Sequence, residues 1–183
     1  MRIRRIPKVI KLNAGKIFEN NFKKSVPKEV FYLRLKDSAS SFKQDSCATR
    51  FTLQNPYDIL LFDTISLYTF ELKSTDGTSF SFQRENDKSS KMIKFHQIKG
   101  LLNANEYANV YSGFVFDFRK SETYFLRISN FVKFMNNTEK VSINEKDIIN
   151  YGGIKITKTR KKVNYTYDIK TLLEEIKGRD KNE

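Results

Sequence analysis

The sequence is poor in the residues that build the commonest catalytic centres. It contains one cysteine, Cys47, and one histidine, His96, among 183 residues. One cysteine excludes an intramolecular disulfide and a cysteine-rich zinc site, and it is typical of a protein from a reducing compartment. One histidine disfavours a histidine-based metal site, and we expect neither Ser-His-Asp nor Cys-His catalysis.

Long apolar runs are also lacking. No run approaches the ~20 residues that a membrane-spanning helix needs. The basic first residues, MRIRRIPKVIK, have the charge of a signal-peptide start, but no apolar stretch of roughly 7–15 residues follows them. We therefore expect a cytoplasmic protein with no membrane partner, and no small-molecule cofactor.

Acids are scarce relative to bases. The chain has 34 Lys and Arg against 21 Asp and Glu, a net charge of +13 that predicts a polyanionic partner. Basic runs occupy residues 2–16, which contain no acid, and residues 155–162. They are either solvated surface or, as we predict, salt-dependent contacts to the DNA backbone. The predicted contacts are Arg2, Arg4, Arg5, Lys8, Lys11, Lys16, Lys158, Arg160, Lys161 and Lys162.

The order of apolar patterns predicts a mixed α/β layer fold. We expect a flexible basic arm over residues 1–13 and one domain over residues 14–183, with a polar, loop-like insertion at about residues 38–55. The predicted helices cover residues 14–25, 95–103, 129–135, 144–150 and 168–177. The predicted strands cover residues 30–36, 58–63, 67–73, 108–118 and 123–128, with residues 79–83 as a further strand of the same meander.

The stretch NPYDILLFDTISLYTFELKS, residues 55–74, interrupts an apolar run with acids and a lysine. Alternate residues of a strand share a face, so Glu71 and Lys73 point away from the apolar face of their strand. A two-residue turn at Thr64-Ile65 would place Asp58 opposite Glu71 on that polar face. We therefore predict a core on one face of this ribbon and a site on the other.

Two carboxylates at paired strand positions repel each other unless a cation lies between them. Oxygen ligands of this kind suit Mg²⁺, with Mn²⁺ as a substitute, and Lys73 would lie beside the scissile phosphate. Asp58, Glu71 and Lys73 match the loose form of the PD-(D/E)xK nuclease motif, with Pro56 two residues before the aspartate. The alternative interpretation is a solvated strand face with a Glu–Lys pair.

Five segments together resemble the RecU family of Holliday junction resolvases. NAGKIFE (residues 13–19) is similar to the family's first helix, and HQIKGL (residues 96–101) to its His-Gln helix start. Between them lies the Asp58, Glu71 and Lys73 pattern. KVSINEKDIINYGGIKI and YDIKTLLEEI are similar to the family's last segments.

The resemblance implies a restriction-endonuclease-like fold with a protruding stalk loop, a homodimer, and metal-dependent cleavage of four-way DNA junctions. It implies that Asp58, Glu71 and Gln97 bind the metal, that Lys73 stabilises the transition state, and that Glu19 assists catalysis. The stalk would be the insertion after the first strand, and its candidate DNA contacts are Phe42, Lys43, Arg50 and Phe51. The chain departs from the family at Pro56, where a threonine ligand is usual, and at Ala14, where a basic residue is usual.

Three other functions stay open at this point. The chain would be a restriction-like or nicking nuclease of ordinary duplex DNA, a branched-DNA-binding protein without activity, or an interaction protein that uses its aromatic strands. A junction resolvase active in recombination and repair is the function that we predict.

Overall fold

A computed structural model describes residues 14–35, 55–162 and 164–180. The predicted arm, residues 1–13, and the predicted stalk up to residue 54 lie outside these ranges, and the domain boundaries stay a prediction. The elements in chain order are α1 (Ala14–Ser25), β1 (Phe31–Arg34), β2 (Ile59–Phe62), β3 (Leu67–Thr75), β4 (Ser79–Ser81), α2 (Phe95–Ala104), β5 (Val110–Phe118), β6 (Thr123–Arg127), α3 (Ile128–Asn136), β7 (Ser142–Asn144), α4 (Glu145–Asn150), β8 (Ile154–Ile156), β9 (Lys158–Lys161), β10 (Asn164–Tyr167) and α5 (Ile169–Asp180).

Six strands form the main sheet in the order β1-β2-β3-β5-β6-β8. β3 and β5 are parallel, and the other neighbours are antiparallel. Parallel strands need a long crossover connection, and α2 lies in the connection between β3 and β5. The predicted fold class is therefore confirmed: the protein has a mixed sheet flanked by helices. No helix in the described ranges is both long enough and apolar enough to cross a bilayer.

The β2–β3 ribbon has the predicted register. The two strands are antiparallel from Ile59 opposite Phe70 to Phe62 opposite Leu67. The turn is closed by a hydrogen bond from the Asp63 amide to the Ser66 carbonyl, at 3.2 Å. One further step in the same register places Asp58 beside Glu71, as the alternation of the sequence predicted.

Both faces of the central strands are covered, so the alternative of a solvated strand face does not hold at Thr69 and Glu71. Tyr68, Phe70 and Leu72 point into an apolar cluster under α1 and α5, as predicted. On the opposite face, however, Thr69 and Glu71 are also buried, and a second apolar cluster lies there under α2 and α3. A parallel strand in the middle of a sheet is usually covered on both sides, so the acidic face is an interior site and not an open surface.

The segment predicted as a further strand of the meander pairs elsewhere. β4 forms a separate two-stranded sheet with β7, in which Phe80 lies opposite Ile143. The Phe80 ring is fully buried, with its centroid 4.9 Å from that of Phe116 and 5.0 Å from that of Phe118. The prediction that residues 79–83 continue the meander was wrong because the burial of Phe80 in the second apolar cluster decides the pairing.

Candidate active site

Asp58 lies directly before β2 and contacts the neighbouring strand through its backbone and its side chain. Its amide donates to the Phe70 carbonyl at 3.1 Å, and its Oδ2 accepts from the Leu72 amide at 2.8 Å. These two partners flank Glu71 in β3. The Asp58 carboxylate is therefore fixed beside the strand segment that carries the second acid.

Glu71 and Lys73 form a partly buried polar cluster with Gln97. Lys73 Nζ lies 3.0 Å from Glu71 Oε1 and donates to Gln97 Oε1 at 3.2 Å. Gln97 Nε2 donates to Glu71 Oε1, so one carboxylate oxygen accepts from two side chains. Glu71 is 2% exposed, and the Lys73 side chain is 15% exposed. This degree of burial strengthens each of these polar contacts because little water screens them.

The first turn of α2 brings Gln97 to the strands. Gln97 Oε1 accepts from the Lys94 amide at 2.9 Å, which satisfies a backbone donor at the start of the helix. His96, on the same turn, has a lowered pKa because of its burial and because of the positive charges of Lys73 and Lys94. A lowered pKa keeps this histidine neutral at physiological pH. The structure thus brings together Asp58, Glu71, Lys73 and Gln97, as predicted.

The pKa of the Asp58 carboxyl is raised above its ordinary value, mainly by burial. The Leu72 amide and the charges of Lys73 and Arg34 oppose this rise, whereas the charge of Glu19 adds to it. A cation next to such a carboxyl group would favour its ionised form and so lower its pKa. Arg34 lies opposite Ile59, the residue after Asp58, and its ion pair with Glu19 brings that acid to the same part of the sheet.

Glu19 is an ion-pair partner in this structure. Its Oε2 lies 2.7 Å from Arg34 Nη2 and 3.4 Å from Lys16 Nζ. A role of Glu19 in catalysis stays a prediction, and its oxygen would have to leave these two cations to reach a metal. Sequence reasoning missed Arg34, whose only signal was a basic residue in the short β1 strand.

The donor set fits a hard divalent cation through Asp58 and Glu71. Glu71 is buried and Asp58 is half-buried with a raised pKa, and carboxylates are the oxygen donors that Mg²⁺ and Mn²⁺ prefer. Gln97, in contrast to the two acids, is not oriented as a metal ligand. Its amide oxygen faces Lys94 and Lys73, while its NH₂ group faces Glu71. Its predicted role as a ligand would require the amide to turn over. Within the described ranges, no group of three or more His, Cys, Asp or Glu side chains forms a metal cluster.

The predicted DNA contacts are of four kinds in the structure. Arg2, Arg4, Arg5, Lys8, Lys11, Lys43 and Arg50 lie outside the described ranges. Arg160, Lys161 and Lys162 are exposed on β9 and directly after it, where a phosphate can reach them. Lys16 is partly exposed, with its amine beside Glu19.

Lys158 is in a different environment from the rest of its basic run. Its side chain is only 10% exposed, and Nζ lies 3.3 Å from Asp117 Oδ1 and 3.1 Å from the Phe118 carbonyl oxygen. The amine also lies 5.5 Å from the centre of the Tyr165 ring. These contacts tie the β9–β10 hairpin to the main sheet. They argue against a direct phosphate contact at this position, because the buried Asp117 would lose its cation.

Comparisons with known proteins gave a weak likeness to a solved structure and a clear relative in sequence. No protein-family model matches the chain, so membership of the RecU family stays a prediction. Among solved structures, the chain is similar to the Holliday junction resolvase Hjc of Archaeoglobus fulgidus, with 13% identity, a TM-score of 0.40, and coverage of 69% of this chain and 83% of that chain. A likeness at this level carries no conclusion about function.

The curated relative is much more similar. The SPbeta prophage-derived uncharacterized protein YotM of Bacillus subtilis (strain 168) is 36% identical over 178 residues, covering 90% of this chain and 87% of the relative. An identity of this size along nearly the full length of both chains indicates common descent and a shared fold. The chain therefore belongs to the family of the prophage protein YotM.

Proposed function

We propose that this protein is a metal-dependent endonuclease that cuts branched DNA, with four-way junctions as its substrate. The observation that carries the proposal is the arrangement of Asp58, Glu71 and Lys73. Two acids from adjacent strands lie side by side, and a lysine amine lies 3.0 Å from one of them in a partly buried site. Acids of this kind bind Mg²⁺ or Mn²⁺, and the lysine adds a positive charge where a phosphate would react.

Each side chain has a separate task in this mechanism. Asp58 and Glu71 would hold the metal, which would supply a water of lowered pKa and stabilise negative charge on the phosphate. Lys73 neutralises part of the charge that grows on the phosphate oxygens in the transition state. Gln97 holds the amine of Lys73 with its amide oxygen and the carboxylate of Glu71 with its NH₂ group. The helix start that Gln97 caps is fixed at the same time.

The charge of the protein supports a DNA substrate. A net charge of +13 favours binding to phosphates by release of counterions, without reading of bases. The exposed residues Arg160, Lys161 and Lys162 are candidates for such contacts in the described part of the chain. An enzyme of this kind would select junctions by their shape, as the resemblance to junction resolvases implies.

Cutting two strands of a four-way junction calls for two sites, and a homodimer would supply them. The β1–β2 edge of the sheet offers an apolar surface for a second copy. Phe31 is 60% exposed and Phe62, opposite it in the ladder, is 42% exposed. Leu33, two residues along β1 on the same face, is 43% exposed. Exposed apolar side chains that lie side by side are typical of protein interfaces.

A junction-cutting assay tests the proposal. The purified protein is incubated with a labelled four-way junction and with the matching linear duplex, each with Mg²⁺ and with EDTA. We expect paired symmetric cuts in the junction that require the metal, and we expect Asp58→Asn and Lys73→Ala to bind the junction without cutting it.

The other outcomes separate the alternatives. Cutting of the duplex at an equal rate would indicate a restriction-like or nicking nuclease. Binding of the junction by the wild-type protein without cutting would indicate a branched-DNA-binding protein. Indifference to DNA at every salt concentration would overturn the proposal and favour an interaction protein.

A further inference from the structure

Gly100 in α2 packs directly against Pro56, the residue two positions before Asp58. A Cβ atom built on Gly100 would overlap the Pro56 Cβ, and it would lie only 2.9 Å from the Pro56 Cα and 2.9 Å from its carbonyl oxygen. Cβ atoms essentially never come within 3.0 Å of another non-bonded heavy atom. The helix and the Pro56 segment therefore touch only because residue 100 has no side chain.

A second helical glycine, Gly178, provides a contrast. Gly178, in α5, has no atom within 4 Å of the position of its missing Cβ. An alanine would fit at position 178 without moving anything, and it would favour the helix. The requirement for glycine at position 100 is therefore specific to the contact with Pro56.

The contact joins the two halves of the candidate site. On one side, Pro56 leads into Asp58, whose carboxylate is fixed to β3 by the Leu72 amide at 2.8 Å. On the other side, Gln97 lies one turn before Gly100 and therefore on the same side of α2. Gln97 in turn contacts Glu71 and Lys73. A shift of Pro56 against the helix would move Asp58 relative to these side chains.

Proline suits one side of such a contact. Its ring fixes φ at about −65°, so the backbone before Asp58 can adopt fewer conformations. Pro56 is half-buried, and its Cα, Cβ and carbonyl oxygen all face the bare backbone of Gly100. The backbone of α2 at Gly100 therefore contacts a rigid segment. Among the described residues, no flexible side chain lies at this contact that could rotate to relieve an overlap.

We propose that Gly100 and Pro56 form a positioning pair that sets where Asp58 lies relative to Glu71, Lys73 and Gln97. The pair touches neither metal nor DNA, and its catalytic meaning rests on the proposed nuclease function. A methyl group at position 100 would push Pro56 away. The Asp58 carboxylate would then leave the Leu72 amide, and the two acids would no longer face one position.

The test compares Gly100→Ala with the matched control Gly178→Ala. The first readout is hydrogen exchange of the Leu72 amide, measured by NMR on protein without metal or DNA. In Gly100→Ala we expect this amide to exchange about tenfold faster than in the wild type, because it loses its acceptor on Asp58. In Gly178→Ala we expect no change.

The second readout is junction cutting with Mg²⁺. In Gly100→Ala we expect kcat to fall by about tenfold to 100-fold while the dissociation constant for the junction stays the same, because a misplaced group costs rate and not binding. Equal kcat values in the two variants, or an unchanged Leu72 exchange rate in Gly100→Ala, would overturn the proposal.

A third variant covers the case in which Gly100→Ala does not fold. Pro56→Gly removes the ring and its Cβ from the contact without adding atoms, and we expect it also to speed exchange at Leu72. Combined with Gly100→Ala, it removes the Cβ overlap, so the double variant should fold better than Gly100→Ala alone. Wild-type exchange at Leu72 in Pro56→Gly would refute the positioning role.

The exchange readout needs neither cutting nor metal. If the wild-type protein cuts no DNA, the nuclease proposal fails, whereas the exchange rates still decide whether the pair positions Asp58.

Discussion

Asp63 holds together the turn on which the register of the β2–β3 ribbon depends. Its Oδ1 accepts from the amides of Ile65 at 3.3 Å and Ser66 at 2.9 Å. Its Oδ2 accepts from the Tyr68 hydroxyl at 2.8 Å and from Lys177 Nζ at 2.9 Å. The carboxylate therefore ties the turn both to β3 and to the end of α5.

These contacts determine the pKa of Asp63. Burial raises the pKa, but hydrogen bonds from Lys177, Ser66, Tyr68 and Ile65 outweigh burial and bring the pKa down from 3.8 to about 2. A shift of this size corresponds to on the order of 2 kcal/mol of stability when the carboxyl is ionised. Because the folded-state pKa is the lower one, this stability is fully present above the unfolded-state value. It is lost as the pH falls from about 4 toward 2.

Urea unfolding of Asp63→Asn at pH 7 and near pH 2 tests this contribution to stability. At pH 7 we expect the free energy of unfolding to fall by roughly 2 kcal/mol, and near pH 2 we expect the variant and the wild type to converge. Asp76→Asn is the control, since Asp76 pairs with Arg119 at the surface, where the side chains are 57% and 40% exposed. There we expect a change below about 1 kcal/mol at either pH.

One result would refute the reasoning. If Asp63→Asn were as destabilising near pH 2 as at pH 7, the ionised carboxylate would not be the source of the stability. The turn would then be held by its backbone and by the packing of the flanking strands.

Three further predictions concern the cations. Lys73→Met removes the amine that pairs with the Glu71 carboxylate, so we expect Mn²⁺ to bind severalfold more tightly to this variant than to the wild type. Calorimetry without DNA measures the affinity, and weaker binding would contradict the prediction. Replacing Arg160, Lys161 and Lys162 together by alanine should lower the slope of log K against log salt for DNA binding by up to about 2.7, and an unchanged slope would exclude these contacts. Lys158→Met leaves the buried Asp117 carboxylate without its cation, with the hydroxyls of Ser74 and Thr123 still donating to it. We therefore expect the free energy of urea unfolding to fall by about 3 kcal/mol, whereas loss of an exposed phosphate-binding lysine would cost almost nothing.

Local pattern was enough to predict the ribbon. Strands alternate their side chains between two faces, so Tyr68 and Phe70 share the apolar face in any register, whereas a slip by one residue would move Asp58 away from Glu71. The two-residue turn then left Asp58 beside Glu71, and the structure has this register. The helix with Phe95, Ile98 and Leu101 was equally predictable, since its apolar residues recur every three or four positions.

Contacts between distant parts of the chain could not be predicted from local sequence pattern. Nothing near Ser79–Ser81 indicates that β4 pairs with β7, because the choice depends on where Phe80 finds space among aromatic rings far along the chain. Lys158 was grouped with its basic neighbours because its partner, Asp117, is 41 residues away in sequence. The pair Gly100 and Pro56 also has no local signature.

The sequence by itself determined the basic charge, the order of the five helices and of β1 to β6, and the acids and lysine of the β2–β3 ribbon, since these follow from composition and from periodicity within one segment. It did not predict the strands β7 to β10. The tertiary structure decided that the acidic face is buried under α2 and that the Gln97 amide oxygen faces Lys94 and Lys73 while its NH₂ group faces Glu71. It also decided that Glu19 is paired with Arg34. Burial and hydrogen bonding depend on atoms that meet only when the chain folds, and the chemistry of the site depends on both.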